Sequence, residues 1–312
     1  MEHYVTLFDS LFLPQALALH ASFQRHAGAH MLWMLCVDAE SFDVLQRLQL
    51  PNCTLMRLAD HETPALLAAK ATRTRGEYCW TLTPHSPRFV FDSNPTVERV
   101  TYLDADMWLR QHPGPIFREF EASRASVMIT DHAYAPEYDQ SATSGRYCVQ
   151  FMVFNRHGSE AVRRWWEERC IEWCYARLED GKFGDQKYLD DWPTRFGSAV
   201  HVLRQQELLL APWNATRFPY GPAVAYHFHG LRLLPGRRLD AGPGYVLPEP
   251  VLRYVYAPYV AELRAAMGLL EATQFSPQPQ AKAPSLYQVI RRFAGSALRP
   301  IVRSHRRNSF KL

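Results

Sequence analysis

The sequence predicts an α/β fold in which a mainly parallel sheet carries helices on both faces. Apolar runs of strand length recur along the first half of the chain, and stretches with helical spacing of apolar residues separate them. Strands that are buried on both faces have such continuous apolar runs. With 312 residues, 47% of them hydrophobic, the chain suits one large domain with an appendage.

The elements follow in order from the N-terminus. A first strand, H-Y-V-T-L-F-D, leads through Pro14 into a helix over Q-A-L-A-L-H-A-S-F-Q-R-H. A second strand, M-L-W-M-L-C-V-D, opens another helical stretch, and further strands are predicted at R-V-T-Y-L-D, S-V-M-I-T-D and Q-F-M-V-F-N. The next segment predicts a long helix around Trp165 and Trp166 that ends near Asp180 and Gly181.

The six cysteines show no disulfide-framework spacing, which predicts reduced and mostly buried thiols. Cys170 and Cys174 are the one close pair, and a spacing of four places both on one face of the predicted helix. Because no second pair of metal-binding type exists, we expect core packing there rather than zinc. The N-terminus has neither a basic leader nor an apolar signal core, and we expect a cytoplasmic protein.

The net charge of +4 is unevenly distributed. The segment 282–312 has eight Lys or Arg and no Asp or Glu, so the preceding residues have 27 basic against 31 acidic side chains. We expect one large domain over 1–272, a linker over 273–285 and a basic tail, amphipathic or disordered, over 286–312. Such a tail suits an anionic membrane surface, whereas the acidic balance of the body disfavours nucleic acid as a partner.

Acidic residues close three predicted strands, namely Asp9, Asp38 and Asp104. In open α/β sheets ligands bind beyond the carboxyl ends of the strands, which makes one crevice there the expected active site. No G-x-G-x-x-G follows the first strand and no P-loop motif occurs. The sequence therefore gives no support for a dinucleotide or P-loop nucleotide site.

The stretch V-T-Y-L-D-A-D-M-W-L places Asp104 and Asp106 two positions apart at the end of a buried strand. In a β-conformation both carboxylates face one side, and hard oxygen ligands suit Mg²⁺ or Mn²⁺. A histidine before a glycine in Y-H-F-H-G, His227, is a candidate third ligand, and an imidazole favours Mn²⁺ over Mg²⁺. A solvated acidic pair and hydrogen-bonded structural histidines are the alternatives for these residues.

Four ordered motifs give this site a context: V-T-Y-L-D-A-D-M-W, Y-C-V-Q-F-M-V-F-N, F-G-D-Q-K-Y-L-D and H-F-H-G. Over roughly residues 3 to 235 the chain resembles GT-A fold glycosyltransferases similar to family eight, the group of glycogenin and the bacterial lipopolysaccharide galactosyl- and glucosyltransferases. The resemblance implies a GT-A fold, Mn²⁺ or Mg²⁺, a nucleoside diphosphate sugar donor with UDP-sugar favoured, and retention at the anomeric carbon. It also implies a cell-surface glycan or lipid-linked acceptor.

Roles follow from the resemblance residue by residue. Asp104, Asp106 and His227 match the metal ligands, and Asp185 with Gln186 matches the catalytic D-Q pair beside the anomeric carbon. The residues expected to contact the nucleotide sugar are Thr6, Phe8, Asp9, Thr81, Asp104, Ala105 and Gln150. Three departures alter the pocket: D-x-N-Y is Asp9-Ser10-Leu11-Phe12, Gln150 replaces a small glycine, and Arg232 is the nearest base to the usual lysine.

Further residues are candidates for the acceptor: Asp131, His132, Trp213, Asn214 and His229. An aromatic face beside an amide suits a sugar ring, and an acid or imidazole can bind or deprotonate a hydroxyl. Core packing of Trp213 and structural roles of the loop that contains Asp131 and His132 are the alternatives. Two other functions remain open: an inactive GT-A fold that binds glycans, and a phosphatase of the haloacid dehalogenase type, whose D-x-D however lies near the N-terminus.

Overall fold

The computed structural model describes residues 1–242, 244–280 and 309–312, and the α/β prediction is confirmed. The strands are β1 (Glu2–Phe8), β2 (His30–Cys36), β3 (Cys53–Arg57), β4 (Arg99–Leu103), β5 (Met107–Leu109), β6 (Val127–Asp131), β7 (Tyr147–Asn155), β8 (Val200–Val202), β9 (Leu209–Leu210), β10 (Ala225–His227), β11 (Leu231–Leu234), β12 (Arg238–Ala241) and β13 (Ser309–Lys311). Among the described residues no helix is long and apolar enough to cross a bilayer.

The helices alternate with these strands over the first half of the chain. They are α1 (Leu13–His26), α2 (Ala39–Leu48), α3 (Pro64–Lys70), α4 (Arg75–Leu82), α5 (Ser86–Ser93), α6 (Gly114–Ser123), α7 (Ser141–Ser144), α8 (Glu160–Glu172), α9 (Trp192–Arg195), α10 (Glu249–Val251) and α11 (Ala257–Ala272). Short 3₁₀ turns join several of them, and a π-helical turn over Leu252–Tyr256 joins α10 to α11. Sequence signals mark where some of these helices begin. Pro14 lies in the first turn of α1, and Thr74 with Glu77 forms a capping box at α4.

The central sheet has seven strands in the order β3-β2-β1-β4-β7-β6-β8. Its neighbours pair in parallel except for β7, which runs antiparallel to β4 and β6. Helices α1, α2, α6 and α11 cover one face and α3, α4, α5 and α8 the other, each over its own apolar layer. In β1, Tyr4 faces the first layer and Val5 the second, which explains why this strand is apolar at successive positions.

Two small sheets extend beyond the carboxyl ends of the central strands. In the first, β10 lies between β5 and β9, and its register sets His227 opposite Met107. In the second, β12 lies between β11 and β13, and the ring of Phe310 stacks on Tyr256 with 6.3 Å between centroids. The first of these sheets is what brings His227 to the turn after β4.

Some boundaries differ from the prediction. The long helix around Trp165 ends at Glu172 rather than near Asp180, because Trp173 adopts an extended backbone. Cys170 and Cys174 are nevertheless both fully buried, as expected of core thiols. In the expected linker, the backbone N–H of Gln280 donates to the carbonyl of Leu233 (2.9 Å).

The expected basic tail lies mostly outside the described residues. Its last residues are described, and there β13 adds to the β11–β12 hairpin. The domain boundaries at 272 and 285 stay predictions.

Candidate active site

Asp104, Asp106 and His227 converge at the carboxyl end of β4. Nε2 of His227 lies 3.1 Å from Oδ1 of Asp106 and 3.6 Å from Oδ2 of Asp104. In the described part of the chain this is the one group of acidic, cysteine and histidine side chains whose ligand atoms, within 4.8 Å of one another, could hold a metal ion. One cation at ordinary ligand distances of about 2.1 Å spans such separations.

The two carboxylates reach this point through a turn, not through a strand. β4 ends at Leu103, so the expectation that Asp104 and Asp106 project from one strand face is wrong. The N–H of Met107 donates to the carbonyl of Asp104 (3.1 Å) and closes the turn before β5. The N–H of Phe228 donates to the carbonyl of Asp106 (2.9 Å), which ties the turn to the strand of His227.

Tyr102 orients the first carboxylate. Its hydroxyl donates to Oδ1 of Asp104 at 2.8 Å and leaves Oδ2 facing His227. Sequence reasoning missed this residue, although positions 102 and 104 share one side of an extended chain. The hydroxyl therefore fixes which oxygen is free to bind a cation.

Burial and mutual charge shift the pKa values of this group. Desolvation, with the charge of Asp106 added to it, raises the pKa of Asp104, although the charge of His227 opposes the shift. For Asp106, burial acts to raise the pKa, but the charge and hydrogen bond of His227 outweigh it and lower the pKa to about 2. For His227 burial lowers the pKa, yet the two carboxylates outweigh it and raise it. The two carboxylates therefore favour positive charge beside them, whether on His227 or on a bound cation.

A third carboxylate, Asp185, lines the same pocket and is 3% exposed. Burial and the charge of Asp104 raise its pKa to about 7, with a partial offset from hydrogen bonds that include Thr83. Its segment is held by the indole N–H of Trp166, which donates to the Asp185 carbonyl at 2.9 Å. A carboxyl group poised near neutral pH in a cleft is typical of functional sites.

The pocket has a volume of about 570 Å³ and extends from β1 to the β10 region. The predicted site residues that line it are Phe8, Asp9, Asp104, Ala105, Asp106, His132, Asp185, Gln186, Trp213, His227 and His229. Arg232 lines it as well, and its positive charge adds to the lowering of the pKa of Asp106 and opposes the rise in the pKa of His227. The structure therefore brings these predicted residues together from all parts of the fold.

Five predicted residues lie elsewhere. Thr6 is buried within β1, and Thr81 donates to the carbonyl of Glu77 within its own helix. Asp131 pairs with the guanidinium of Arg146 at 2.9 Å, outside the pocket lining. The remaining two are fully buried: Asn214, whose amide donates to the carbonyls of His132 and Leu209, and Gln150, whose side chain contacts His227.

At the β1 end, Asp9 faces the pocket and is held by Arg75. Nε of Arg75 lies 2.5 Å from Oδ2 of Asp9, and the same guanidinium contacts Asp38. Oδ1 of Asp9 accepts from the N–H of Leu11 at 2.9 Å. Desolvation raises the pKa of Asp9, and the charge of Arg75 opposes this. At this end of the pocket the carboxylate already has a cation of the protein as its partner.

Aromatic rings form two walls of the pocket, and the sequence predicted only part of them. Near Asp185, Trp80 and Phe183 lie with ring centroids 6.2 Å apart, and the ring of Trp80 lies close above Gly184, which has φ +54°. In a second wall of the same pocket the ring of Tyr134 stacks on His132 at 4.6 Å. His132 and Trp213, which belong to the second wall, were predicted as acceptor candidates, whereas Trp80, Phe183 and Tyr134 were not.

The rings of His132 and Trp213 order the second wall. Trp213 donates its indole N–H to the carbonyl of His132 (2.8 Å) and meets the rings of His227 and His229 edge to face, each at 5.3 Å. Burial lowers the pKa of His132 to about 4, so this imidazole is neutral at pH 7. Its side chain can thus exchange hydrogen bonds without adding charge.

Comparisons with known proteins give the chain relatives and a fold. No protein-family model matches it. In Bacillus subtilis (strain 168), the uncharacterised protein YfnD is 29% identical over 282 residues, which cover 84% of this chain and 88% of YfnD. The uncharacterised protein YfnF of the same organism is 31% identical over 251 residues, which cover 74% of this chain and 82% of YfnF.

Solved structures of similar fold are glycosyltransferases. The galactosyltransferase LgtC, solved with donor and acceptor sugar analogues, superposes with a TM-score of 0.51 at 12% identity over 84% of this chain and 95% of its own. The glycosyltransferase GlyE of Streptococcus pneumoniae TIGR4 gives 0.50 at 15% identity over 90% of this chain and 66% of its own. These likenesses show that the chain has the GT-A fold.

Proposed function

The chain belongs to the family of Bacillus subtilis YfnF, and from its pocket we propose that it is a metal-dependent glycosyltransferase using a nucleoside diphosphate sugar. The observation that carries the proposal is the convergence of Asp104, Asp106 and His227 beside a third buried carboxyl group, Asp185, in one cavity. Three carboxyl groups share this cavity with His227 and with the guanidinium of Arg232. The negative charge there therefore exceeds the fixed positive charge of the side chains. The GT-A fold is consistent with this chemistry.

The donor set fits a divalent cation. Two carboxylate oxygens and one imidazole nitrogen are hard or borderline ligands, which favours Mn²⁺ with Mg²⁺ as the alternative. Such an ion, when bound, stabilises negative charge on a departing diphosphate as a Lewis acid. The residues that would hold it are Asp104, Asp106 and His227, with Tyr102 orienting the first of them.

Other residues of the pocket act on the donor directly. Arg232 supplies a guanidinium on the same side as Asp106, where it can bind diphosphate oxygens. We infer that Asp185, as a carboxylate lining this cavity, stabilises the positive charge that develops on the sugar when the bond from anomeric carbon to phosphate breaks. Gln186 fixes this segment, since its amide donates to the carbonyl of Ser144 at 2.8 Å.

We infer that different parts of the donor bind at the two ends of the pocket. The base and ribose belong at β1, near Phe8 and Asp9, and the sugar belongs against the ring of Trp80 beside Asp185. An aromatic face packs on the apolar face of a pyranose ring. Membership in family eight, a uridine base and retention of anomeric configuration are parts of this proposal that rest on the sequence resemblance.

The wall formed by Trp213, His132 and Tyr134 is the proposed acceptor side. It combines stacked rings with His229, an arrangement that suits a glycan or a lipid-linked sugar. His132, neutral at pH 7, can hydrogen-bond an acceptor hydroxyl. A role in lipopolysaccharide or another cell-surface polymer belongs to the same proposal.

The test is thermal stabilisation of the purified protein by nucleoside diphosphates and their sugars, with Mn²⁺ and with chelator. A ligand at 100 times its Kd raises the stability of the folded state by about 2.7 kcal/mol. We expect a metal-dependent rise confined to one nucleotide family, together with slow hydrolysis of one sugar donor. A rise without hydrolysis or transfer would instead identify a binding protein on a GT-A fold.

We also propose that the protein works at the cytoplasmic face of a membrane through the basic segment that precedes β13. Because β13 packs on the β11–β12 hairpin, truncation of the tail would disturb the fold. The better variant replaces Arg291, Arg292, Arg299 and Arg303 by Gln. We expect it to lose binding to vesicles with 30% phosphatidylserine while wild type binds them, and neither to bind pure phosphatidylcholine. Equal binding of both proteins would refute the membrane role.

A further inference from the structure

Gln150 lies in the middle of β7 and is fully buried, yet it does not line the pocket. Its Oε1 lies 3.0 Å from Nδ1 of His227. The other ring nitrogen of His227, Nε2, is the one that faces Asp106 at 3.1 Å. The glutamine therefore contacts the candidate metal ligand from behind, on the side away from the carboxylates.

The backbone of the same residue reaches the other ligand segment. The carbonyl of Gln150 accepts the N–H of Asp104 at 3.3 Å. One position of β7 thus contacts both halves of the site, the turn after β4 and the strand β10. Its placement follows from the sheet, because β7 pairs antiparallel with β4 and sets Leu103 opposite Phe151.

A hydrogen bond at Nδ1 decides what Nε2 can do. A neutral imidazole has one N–H and one lone pair, so Nε2 can bind a cation only when Nδ1 carries the proton. That N–H is buried here and needs an acceptor. Oε1 of Gln150 provides one and so favours the tautomer that binds metal.

We propose that Gln150 is a positioning residue that holds His227 in the orientation and tautomer required for cation binding, an inference that rests on the proposed metal site. A purely structural role fits poorly, because Nε2 of Gln150 is buried and, among described atoms, has no hydrogen-bond partner. A buried donor without a partner costs stability. A side chain selected for packing alone would not keep that group.

Two substitutions of similar length separate these roles. Gln150→Met fills the space without a strong acceptor, whereas Gln150→Glu keeps an acceptor oxygen. Loss of such a supporting partner typically weakens metal binding 10- to 100-fold. We expect Gln150→Met to raise the Kd for Mn²⁺ by about that factor and Gln150→Glu to stay within about threefold of wild type.

The readout is Mn²⁺ binding to the full chain, measured by electron paramagnetic resonance of the free ion, with the Tm in chelator as a check of folding. Gln15→Met is the matched control, because Gln15 is a second buried glutamine, on α1 and outside the pocket lining. It should bind Mn²⁺ as wild type does. The Tm of Gln150→Met in chelator shows whether the variant is folded, so that a loss of Mn²⁺ binding is not mistaken for a loss of folding.

The possible outcomes separate the two proposals. If wild type binds no Mn²⁺, the metal site itself fails and the role of Gln150 falls with it. If wild type binds and Gln150→Met binds equally well, or if the Glu variant is the weaker binder of the two, Gln150 acts by packing and the positioning role is overturned. Should Gln150→Met not fold, Gln150→Asn, which keeps the amide but shortens its reach, takes its place with the same expected loss.

Discussion

Two acidic groups at the same edge of the sheet are built differently. Asp9 and Asp38 share a protein cation, Arg75, which contacts both carboxylates. Asp104 and Asp106 share a histidine, and a third carboxyl group, Asp185, faces the same space. The first group has one guanidinium for two carboxylates, whereas the second has one, that of Arg232, for three carboxyl groups.

The hydrogen bonds of the two groups differ in the same way. Asp38 accepts from the N–H and hydroxyl of Ser10 and from the N–H of Ser41, and it caps α2. Burial acts to raise its pKa, but these bonds outweigh it and leave the pKa below its ordinary value. Asp185 has a buried Oδ2 with no partner among the described atoms, and its pKa is raised to about 7.

The difference separates Asp38, whose carboxylate serves the fold, from the carboxyl groups around Asp104, which are left for a ligand. Where carboxylates serve the fold, the chain supplies their cation and their donors. Where carboxylates outnumber the cations of the chain inside a cavity, we expect a bound ion or substrate to supply the balancing positive charge. Three substitutions test this distinction, in order of decreasing effect.

The largest effect is expected for Asp106→Asn. The amide keeps the size of the side chain but removes one anionic ligand, so the affinity for Mn²⁺ should fall by about 100-fold or more. Calorimetry or paramagnetic resonance measures the Kd, and the Tm gives a second readout. Saturating Mn²⁺ should raise the Tm of wild type and leave that of Asp106→Asn unchanged. An equal rise in both proteins would mean that the ion binds elsewhere.

The converse is expected for Asp38→Ala. Loss of the N-cap of α2 and of the Ser10 contacts should lower the free energy of unfolding by about 1–2 kcal/mol. Urea denaturation measures this loss. The Mn²⁺-dependent rise in Tm should persist, because Asp38 lies outside the ligand group. If Asp38→Ala abolished that rise, the two acidic groups would act as one site and the distinction would fail.

The sequence predicted the fold and the ligand types better than it predicted side-chain direction. Apolar runs identified β1, β2, β4, β6 and β7, because each is buried and continuous. Proximity of Asp104 and His227, however, depends on the pairing of β10 with β5, which no local pattern contains. Only the ordered motifs, taken as a family resemblance, indicated that these distant residues meet.

Errors arose where the direction of a side chain decides the outcome. Thr81, expected near the nucleotide, lies outside the pocket lining, whereas Thr83, two positions further on in the 3₁₀ turn after α4, lines it. Gln150 was expected at the sugar, but its side chain contacts His227. The Trp80–Phe183 wall joins residues far apart in the chain, so composition alone could not place it.

The smallest effect, and the most specific, is the pH dependence of stability in Asp185→Asn. In the folded state without metal, burial and Asp104 raise the pKa of Asp185 to about 7, whereas an unfolded chain has the ordinary value of about 3.9. Between these values the folded state binds more protons, so the contribution of Asp185 to stability falls as pH rises toward 7. The variant cannot ionise and escapes this loss.

We therefore expect Asp185→Asn to gain stability over wild type as pH rises from 4 to 7 and to keep a constant advantage above that. With chelator present, the difference in Tm should be a few degrees at pH 8 and smaller at pH 5. Mn²⁺ should shrink the advantage at pH 8, because its charge stabilises the ionised Asp185 of wild type. An equal difference in Tm at both pH values would show that the pKa of Asp185 is not raised in the folded state. The contrast between Asp185 and Asp38 would then fail.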